Sequence, residues 1–465
     1  MMMDLLTAVT ATNGMMRGEN VAFSGVSTDS RTITVGDLFV ALRGEHFDGH
    51  EFIVTAKSLG ASAALVDKRG AESLGDLGFP LLIVEDTRLA LGVLAAFWRK
   101  QFSIPVVAVT GSNGKTTSKE MITCIMKAAF GEDVLATQGN LNNDIGMPLT
   151  LLKLRANHRA AVIEMGMNHP GEIAYLAQIA RPTVALVTNA QRAHLAGMGS
   201  IDSIAREKGS LYEFVEAEGV TVINADDPWA ELWRAQSAGR KRLEFSFVQK
   251  TDVVGCHRMH GLESRLAIVA EGEEVEVVLA MPGVHNARNA LGAATVALAA
   301  GLPLSAVKRG LEGFRGVKGR LQRRLGVNSA LVLDDTYNAN PDSVRAGIDV
   351  LAATIGKKIL VLGDMGEIGE MTGQFHDEVG GYAKSQGLDR LFTLGESSAL
   401  AAHNFGAGAR HFKKLEELVA ALVEEMTPDA IVLVKGSRFM RMERVVDAVI
   451  AEKPDSVGVQ AERKD

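Results

Sequence analysis

The chain has 465 residues, and because domains usually hold about 100 to 200 residues, this length indicates roughly three domains. Hydrophobic residues make up 47% and charged residues 23% of the chain, which is ordinary for a globular protein and excludes a wholly disordered one. The 49 Lys and Arg against 56 Asp and Glu give a net charge of −7, so we expect no nucleic-acid partner.

Targeting and membrane signals are weak in this sequence. The longest apolar stretch, residues 290–304, is shorter than the roughly 20 residues of a membrane-spanning helix. The N-terminal residues carry neither the basic flank nor the sustained apolar segment of a signal peptide. We therefore expect no membrane insertion and a cytoplasmic location.

Residues 1–86 predict a small mixed α/β domain. Short apolar runs predict strands over residues 38–42 and 63–66, and apolar residues at helical spacing predict a helix over 53–59. The apolar run PLLIV ends this predicted domain.

Residues 87–316 predict a central domain of the P-loop type, with a parallel sheet between layers of helices. An antiparallel β-hairpin within residues 253–280 interrupts the alternation of strands and helices. The other predicted elements are a helix over 88–102, a strand over 106–109, a helix over 119–129 and strands over 160–164, 183–189 and 220–224.

Residues 317–453 restart the alternation and predict a C-terminal Rossmann-like domain. The polar, aperiodic residues 454–465 predict a disordered tail. The predicted elements of the third domain are strands over 330–334, 358–363, 391–394 and 430–434, and helices over 343–355 and 415–426.

A glycine-rich loop lies between the predicted strand 106–109 and the helix after it. Glycines let backbone N–H groups converge on phosphate oxygens, a lysine reaches the β and γ phosphates, and the hydroxyl after it can bind Mg²⁺. The loop has a G-x-x-G-K spacing, shorter than the usual one, so a glycine-rich turn with a chance lysine is the alternative. The predicted ATP-binding residues here are Gly111, Ser112, Asn113, Gly114, Lys115, Thr116 and Thr117.

The shortened loop, the three-domain layout and four later blocks resemble the Mur ligases, the ATP-dependent amide-forming enzymes of peptidoglycan assembly. The resemblance spans nearly the whole chain, and the blocks are most similar to the family members that join D-Ala-D-Ala to UDP-N-acetylmuramoyl-tripeptide through an acyl phosphate. The blocks are GNLNNDIGMP (139–148), VIEMGMNHPGEI (162–173), TNAQRAHLAGMGS (188–200) and DDTYNANPDS (334–343).

This resemblance implies ATP and two Mg²⁺ ions as cofactors, with Lys208 carbamylated so that its ammonium becomes a carboxylate-like group. Each position has a structural alternative: Glu164 as a helix cap, His194 as a loop residue and Lys208 as a surface lysine. The implied metal ligands are Thr116, Glu164, His194 and Lys208, and the implied catalytic residues are Lys115, Glu164, His194, Lys208 and Arg320.

Further residues of the nucleotide site follow from the same resemblance. Asn286 and Asn289 support the base, although Asn286 also suits a helix N-cap. Arg320 contacts the transferring phosphate, with an exposed linker arginine as the alternative. Asp335 and Tyr337 bring the third domain to the ribose and phosphates of ATP.

The resemblance also implies small-molecule partners only, UDP-N-acetylmuramoyl-tripeptide and D-Ala-D-Ala, bound by a monomer. Residues 435–438 are either a contact to the active site or a plain strand-to-helix turn. The residues expected to bind the UDP-linked substrate, each of which also suits an ordinary turn, are Ser27, Thr28, Ser30, Arg31, Asn142 and Asn143.

Two kinds of alternative function stay open from the sequence. One is a sister ligase that adds the third peptide residue, or a folylpolyglutamate synthase; the absence of an Asp-Asn-Pro-Arg block weakens the first of these. The other is a non-catalytic nucleotide-binding regulator, which would have no need of a two-metal ligand set.

Overall fold

The computed structural model describes residues 1–451, which form four β-sheets with α-helices packed against them. The predicted tail, residues 454–465, lies outside the described residues. Within the described residues, no helix is both long and apolar enough to cross a bilayer.

The first part of the chain forms a five-stranded sheet in the order β2-β7-β6-β5-β4, parallel except for β2, and a two-stranded sheet of β1 and β3. A small mixed α/β unit is therefore confirmed. Its elements are β1 (Met3–Asp4), α1 (Leu5–Thr12), β2 (Met15–Arg17), β3 (Ala22–Phe23), β4 (Gly25–Ser27), β5 (Asp37–Val40), α2 (Ile53–Ser58), β6 (Ala63–Asp67), α3 (Lys68–Leu74) and β7 (Leu81–Val84).

The middle of the chain forms a nine-stranded sheet in the order β16-β15-β14-β13-β12-β11-β8-β10-β9. The elements are α4 (Thr87–Arg99), β8 (Val106–Thr110), α5 (Lys115–Phe130), β9 (Val134–Ala136), α6 (Gly146–Leu151), β10 (Ala160–Glu164), α7 (Glu172–Ala180), β11 (Val184–Val187), α8 (Leu195–Met198), α9 (Ile201–Gly209), β12 (Val220–Asn224), α10 (Ala230–Gln236), β13 (Lys241–Ser246), β14 (Val253–His260), β15 (Glu263–Ala270), β16 (Glu273–Leu279), α11 (Val284–Ala299) and α12 (Leu304–Gly313).

Two sequence predictions for this sheet need correction. The expected hairpin within 253–280 is a three-stranded antiparallel extension, because β14 pairs in parallel with β13 and so continues the main sheet. Helix α5 begins at Lys115 and not at residue 119. The first turn of the helix is polar and lines a cavity. A prediction from apolar residues at helical spacing therefore misses this turn and places the start of the helix one turn too late.

The last part of the chain forms a six-stranded sheet in the order β17-β18-β22-β19-β20-β21, parallel except for β17, as expected for a Rossmann-like unit. The elements are β17 (Gln322–Leu325), β18 (Leu331–Asp335), α13 (Pro341–Ala352), β19 (Lys357–Gly363), α14 (Thr372–Ser385), β20 (Arg390–Leu394), α15 (Ser398–Phe405), β21 (Ala409–Phe412), α16 (Leu415–Glu425), β22 (Ala430–Lys435) and α17 (Glu443–Val449). The boundaries proposed at 86/87 and 316/317 stay a prediction.

The apolar cores are shared between these units. One core joins the first sheet to the central sheet through α4, whose buried face includes Leu91, Leu94 and Ala95. A second core continues from the central sheet through α11 and α12 to α13 and β19 of the last sheet. Burial of these shared faces from water fixes the position of the central sheet between its two neighbours.

Helix α12 approaches α5 so closely at Gly310 that a Cβ there would overlap the backbone of Ile125. We expect Gly310→Ala to lower the free energy of unfolding by about 1–3 kcal/mol, because the two helices must move apart to admit a methyl group. Urea denaturation followed by circular dichroism measures this change. Gly313→Ala is the matched control, since a Cβ at Gly313 meets no atom within 4 Å; an equal loss in both variants would contradict the packing argument.

Candidate active site

The central and last sheets direct the carboxyl ends of their parallel strands into one cavity of about 1090 Å³. From the central sheet, the segments after β8, β10, β11 and β12 line it; from the last sheet, residues at the ends of β18, β19 and β22 do so. In open α/β sheets ligands bind beyond the carboxyl ends of the strands, where the strand order reverses. Strand β8, between β10 and β11, is that point in the central sheet.

Two glycines of the loop after β8 allow it to pass close to neighbouring side chains. Gly111 has φ +148° and a Cβ there would overlap the hydroxyl of Thr188; Gly114 has φ +82° and a Cβ would overlap the amide oxygen of Asn289. Side chains are therefore excluded at both positions, and the loop is clamped between the segment after β11 and helix α11. Thr188 Oγ1 also donates a hydrogen bond to the carbonyl of Asn113 at 2.7 Å.

Lys115 and Thr116 occupy the first turn of α5, where unpaired N–H groups favour an anion. The Lys115 ammonium donates to the carbonyl of Gly111 at 2.8 Å, so it lies against the loop that would hold the phosphates. Burial lowers the pKa of Lys115. Ser112, Asn113, Thr117 and both predicted substrate residues Asn142 and Asn143 line the same cavity.

Glu164 ends β10 and is almost fully buried. Its Oε1 accepts a hydrogen bond from Asn142 Nδ2 at 2.8 Å, whereas its buried Oε2 has no hydrogen-bond partner among the described residues. A helix cap is the wrong interpretation of Glu164, because the next helix, α7, begins at Glu172. Glu164 lines the same cavity as Lys115, so its unpartnered oxygen is available to a metal ion or to a hydrogen-bond donor bound there.

Lys208 lies in α9 and is completely buried, so the surface-lysine alternative is wrong. Its Nζ has no hydrogen-bond partner among residues 1–451. Burial, followed by the repulsion of Lys115, lowers the pKa of Lys208 well below its ordinary value. A buried ammonium without a partner is costly, so this lysine favours a neutral or chemically altered form.

His194 follows β11 and adopts a left-handed backbone conformation with φ +60°. Its Nδ1 lies 3.0 Å from Glu367 Oε2 of the last sheet, although the angle falls short of a hydrogen bond. The nearby His194, and then Lys115, lower the pKa of Glu367. His194 and Glu367 both line the cavity, one from each of the two sheets' connecting segments.

The four predicted metal ligands suit Mg²⁺ only if Lys208 carries a carboxylate. No group of three or more His, Cys, Asp and Glu side chains that could hold a metal ion exists within the described residues. Thr116, Glu164 and His194 line the cavity, whereas the buried Lys208 is not among its lining residues. Lys208 also brings a nitrogen and not the oxygen that Mg²⁺ prefers. With a carboxylate on Lys208, the four residues would offer oxygen atoms from Thr116, Glu164 and Lys208 and an imidazole nitrogen from His194.

Arg320 crosses from the segment before β17 to the phosphate loop. Its Nη2 donates to Thr116 Oγ1 at 3.3 Å, and its guanidinium stacks 4.4 Å above the ring of Tyr337. The exposed-linker alternative for Arg320 is therefore wrong. Lys435, at the end of β22, is buried in the cavity wall and donates to Asp335 Oδ2 at 2.7 Å, so the segment 435–438 is more than a turn.

Asn286 and Asn289 lie in the first two turns of α11 and line the cavity. The predicted N-cap role of Asn286 is wrong: Gly283 is the N-cap, and Asn286 Nδ2 donates to the carbonyl of Pro282 at 2.8 Å. Asn289 lies against Gly114 of the phosphate loop, and the contact of both asparagines with the base stays a prediction.

The substrate residues predicted in the first domain lie away from this cavity. Ser27 is buried and bonded to the backbone of Asp29, while Arg31 is exposed and paired with Asp29 at 2.6 Å. Thr28 and Ser30 belong to the same turn and are not among the lining residues of the cavity. Their contact with a UDP group stays a prediction.

Arg192, Asn340 and Asp342 hold the last sheet against the central one, a role that sequence reasoning missed. The guanidinium of Arg192 donates to Asp342 at 2.6 and 3.0 Å and to Glu378 at 2.9 Å. The side chain of Asn340 donates to Asn113 of the phosphate loop at 2.8 Å. All three residues lie in the quoted blocks, but an ion pair between distant segments has no local sequence signal.

We expect Arg192→Ala to loosen the last sheet from the central one, because the two-point contact with Asp342 is lost. Small-angle X-ray scattering should show a larger radius of gyration, and the double exchange Arg192→Asp with Asp342→Arg should reverse it in part. Arg345→Ala is the matched control, since Arg345 pairs with Glu378 inside the last domain. An unchanged radius in Arg192→Ala would contradict the expectation.

Three family models match the chain. They are described as "Mur ligase family, catalytic domain" over residues 22–99, "Mur ligase middle domain" over 109–297 and "Mur ligase, glutamate ligase domain" over 319–438. The UDP-N-acetylmuramoyl-tripeptide–D-alanyl-D-alanine ligase of Escherichia coli K12 is 41% identical over 443 residues, which are 94% of this chain and 96% of that protein.

Solved structures of ligases are also similar to this chain over most of its length. MurF from Acinetobacter baumannii aligns with a TM-score of 0.88 and 34% identity over 96% of this chain and 98% of that one. MurF of Thermotoga maritima, in complex with ADP, aligns with a TM-score of 0.80 and 28% identity over 91% of this chain and 96% of that one. A folylpolyglutamate synthase of Mycobacterium tuberculosis, at 18% identity, shares the fold alone. The chain belongs to the Mur ligase family.

Proposed function

We propose that this protein is an ATP-dependent ligase that joins the amino group of D-Ala-D-Ala to the terminal carboxylate of UDP-N-acetylmuramoyl-tripeptide, in the assembly of peptidoglycan precursors. The observation that carries the proposal is a cavity lined together by the phosphate loop, by Arg320 and by residues at the carboxyl ends of the strands of the last sheet. The near full-length identity to ligases of this name supports the choice of substrates.

The chemistry begins with a carboxylate, which is a poor acylating agent. Transfer of the γ-phosphoryl group of ATP to this carboxylate gives an acyl phosphate, which the amine then attacks with release of phosphate. Lys115 and Arg320 face the same space from opposite domains and offset the charge of two anions that repel each other. Bound Mg²⁺ would supply further positive charge at the transferring group.

We propose that Lys208 is carbamylated and that Thr116, Glu164 and His194 complete the Mg²⁺ ligands. A neutral, buried amine is the form that reacts with CO₂, and the burial of Lys208 favours that form. The carbamate would place an anion beside Lys115, which relieves the repulsion between the two buried cations. The unpartnered Oε2 of Glu164 supports the presence of a cation next to this carboxylate.

The other roles follow from the layout of the chain. We propose that the loops around Ser27 and Arg31 hold the uridine diphosphate end and that Asn142 and Asn143 meet the peptide inside the cavity. We also propose that the protein acts as a monomer. The requirement for ATP favours reaction in the cytoplasm.

The two rival functions fit less well. A sister ligase or folylpolyglutamate synthase shares the fold, but the similarity over nearly the whole chain is to D-alanyl-D-alanine-adding ligases. A regulator without catalysis has no use for Lys115, Lys208 and Glu164 as unpaired or repelling charges, because each costs stability unless a ligand compensates it.

The proposed function predicts that phosphate release needs ATP, Mg²⁺, UDP-N-acetylmuramoyl-tripeptide and D-Ala-D-Ala together, because the acyl phosphate forms only on the bound carboxylate. A continuous phosphate assay with each component left out in turn measures this dependence. Replacing both substrates, by UDP-N-acetylmuramoyl-dipeptide with L-lysine or by a folate with L-glutamate, tests the two sister activities. Steady phosphate release with ATP alone would support a regulatory nucleotidase instead.

A carbamate on Lys208 predicts that Lys208→Arg is nearly as damaging as Lys208→Ala, with a loss of about a hundredfold or more in turnover, because arginine retains a positive charge where oxygen ligands are needed. Added acetate should partly restore Lys208→Ala and not Lys208→Arg. Labelling with ¹³C-bicarbonate should give a carbamate NMR signal that both variants lack. A fully active Lys208→Arg enzyme would refute the carbamate.

A further inference from the structure

The third domain presents three carboxylates to the cavity. Two of them are paired with a lysine or an arginine, and the third, Glu367, lies 3.0 Å from His194 Nδ1. Asp335 accepts from Lys435 at 2.7 Å, and Asp342 accepts from Arg192 at 2.6 Å. Glu367 pairs with no lysine or arginine within residues 1–451, and its side chain is 63% exposed to the cavity and solvent. It is therefore the carboxylate of this domain that is available to a cationic ligand.

The loop that carries Glu367, residues 364–369 after β19, is held at several points. The carboxylate of Asp364 accepts from the N–H groups of Glu396, Ser397 and Ser398 at 2.8 to 3.2 Å. The N–H of Gly366 donates to Ser437 Oγ at 2.7 Å.

Two further features concern the backbone of the same loop at and near Glu367. The N–H of Met365 donates to the buried His376 at 2.9 Å. Glu367 has φ +61°, a conformation that glutamate rarely adopts unless its surroundings impose it. Glu367 lines the cavity from this backbone conformation, so its position there is held at some cost in conformational energy.

Glu367 lines the same cavity as Lys115, Thr116 and Arg320. It is near enough to Lys115 for the two charges to interact, and Lys115 belongs to the loop that would hold the transferring phosphate. The phosphates of ATP and the reacting carboxylate of the tripeptide are anions, which a carboxylate repels. The incoming amine is the cationic reactant.

We propose that Glu367 binds the ammonium group of the incoming dipeptide and so positions its nitrogen next to the acyl phosphate. This inference rests on the proposed function and adds the residue that recognises the amine. A charge-assisted contact of a carboxylate with an ammonium is strong enough to select a free amino terminus over an uncharged group. The contact between Glu367 and His194 would give way to the substrate when it binds.

The test compares the wild-type enzyme with Glu367→Gln, which keeps the size of the side chain and removes its charge. We expect the KM for D-Ala-D-Ala to rise about tenfold or more in the variant, with the KM values for ATP and UDP-N-acetylmuramoyl-tripeptide unchanged. Glu370→Gln is the matched control, because Glu370 is three residues along the same segment, exposed and outside the cavity.

A binding measurement separates ammonium recognition from other effects of the substitution. Calorimetry with a non-hydrolysable ATP analogue and the UDP-linked tripeptide would compare D-Ala-D-Ala with propanoyl-D-alanine, which lacks only the amino group. The wild-type enzyme should prefer the dipeptide at least about tenfold, and Glu367→Gln should bind both ligands equally.

The outcomes distinguish this inference from the proposed function. A Glu367→Gln enzyme that keeps the preference for the dipeptide, or that instead needs more Mg²⁺ with an unchanged KM for the dipeptide, would overturn the inference and leave the proposed function intact. A wild-type enzyme that neither binds nor consumes D-Ala-D-Ala would overturn both.

Discussion

Charged groups without a hydrogen-bond partner among residues 1–451 lie at and beside the cavity between the central and last sheets. Glu164 lines the cavity and buries the unpartnered Oε2, while Lys208 buries an unpartnered Nζ, and Lys115 and Lys208 repel each other. Such an arrangement is unfavourable in the free protein and is sustained by the large apolar cores on either side. Phosphates and cations from the substrates can compensate these charges, so the same constraint that destabilises the free site favours binding of the full set.

The domain layout determines when that compensation can occur. The phosphate loop belongs to the central sheet, whereas Asp335, Lys435 and Glu367 come from the last one. The contacts of Arg192 with Asp342 and Glu378 bring these two groups of residues to opposite walls of one cavity. In the proposed reaction the nucleotide, the acyl donor and the amine would therefore be held by separate units of the chain, and such an arrangement would help to exclude water from the acyl phosphate, which water hydrolyses.

Several features could be predicted from local sequence. The β-branched run at 106–110 followed by glycines and Lys115 indicated both the strand and the phosphate loop, because strand, turn and helix signals lie within a dozen residues. The strands Ala160–Glu164 and Val220–Asn224 were predicted with the correct bounds. The three-stranded extension at 253–279 was mistaken for a separate hairpin, since alternation within a strand does not reveal which strand it pairs with.

The sequence by itself determined the α/β class, the phosphate loop and, by resemblance, the family, because these depend on short-range periodicity and on blocks of adjacent residues. Only the tertiary structure decided that Lys208 is buried, that Arg320 reaches Thr116 and that Glu367 and Lys115 line one cavity. Burial and pairing depend on which distant segments meet, and the same lysine or glutamate would be an ordinary surface residue if its helix or loop faced water. The charge balance of the site is thus a property of the assembled sheets rather than of any one segment.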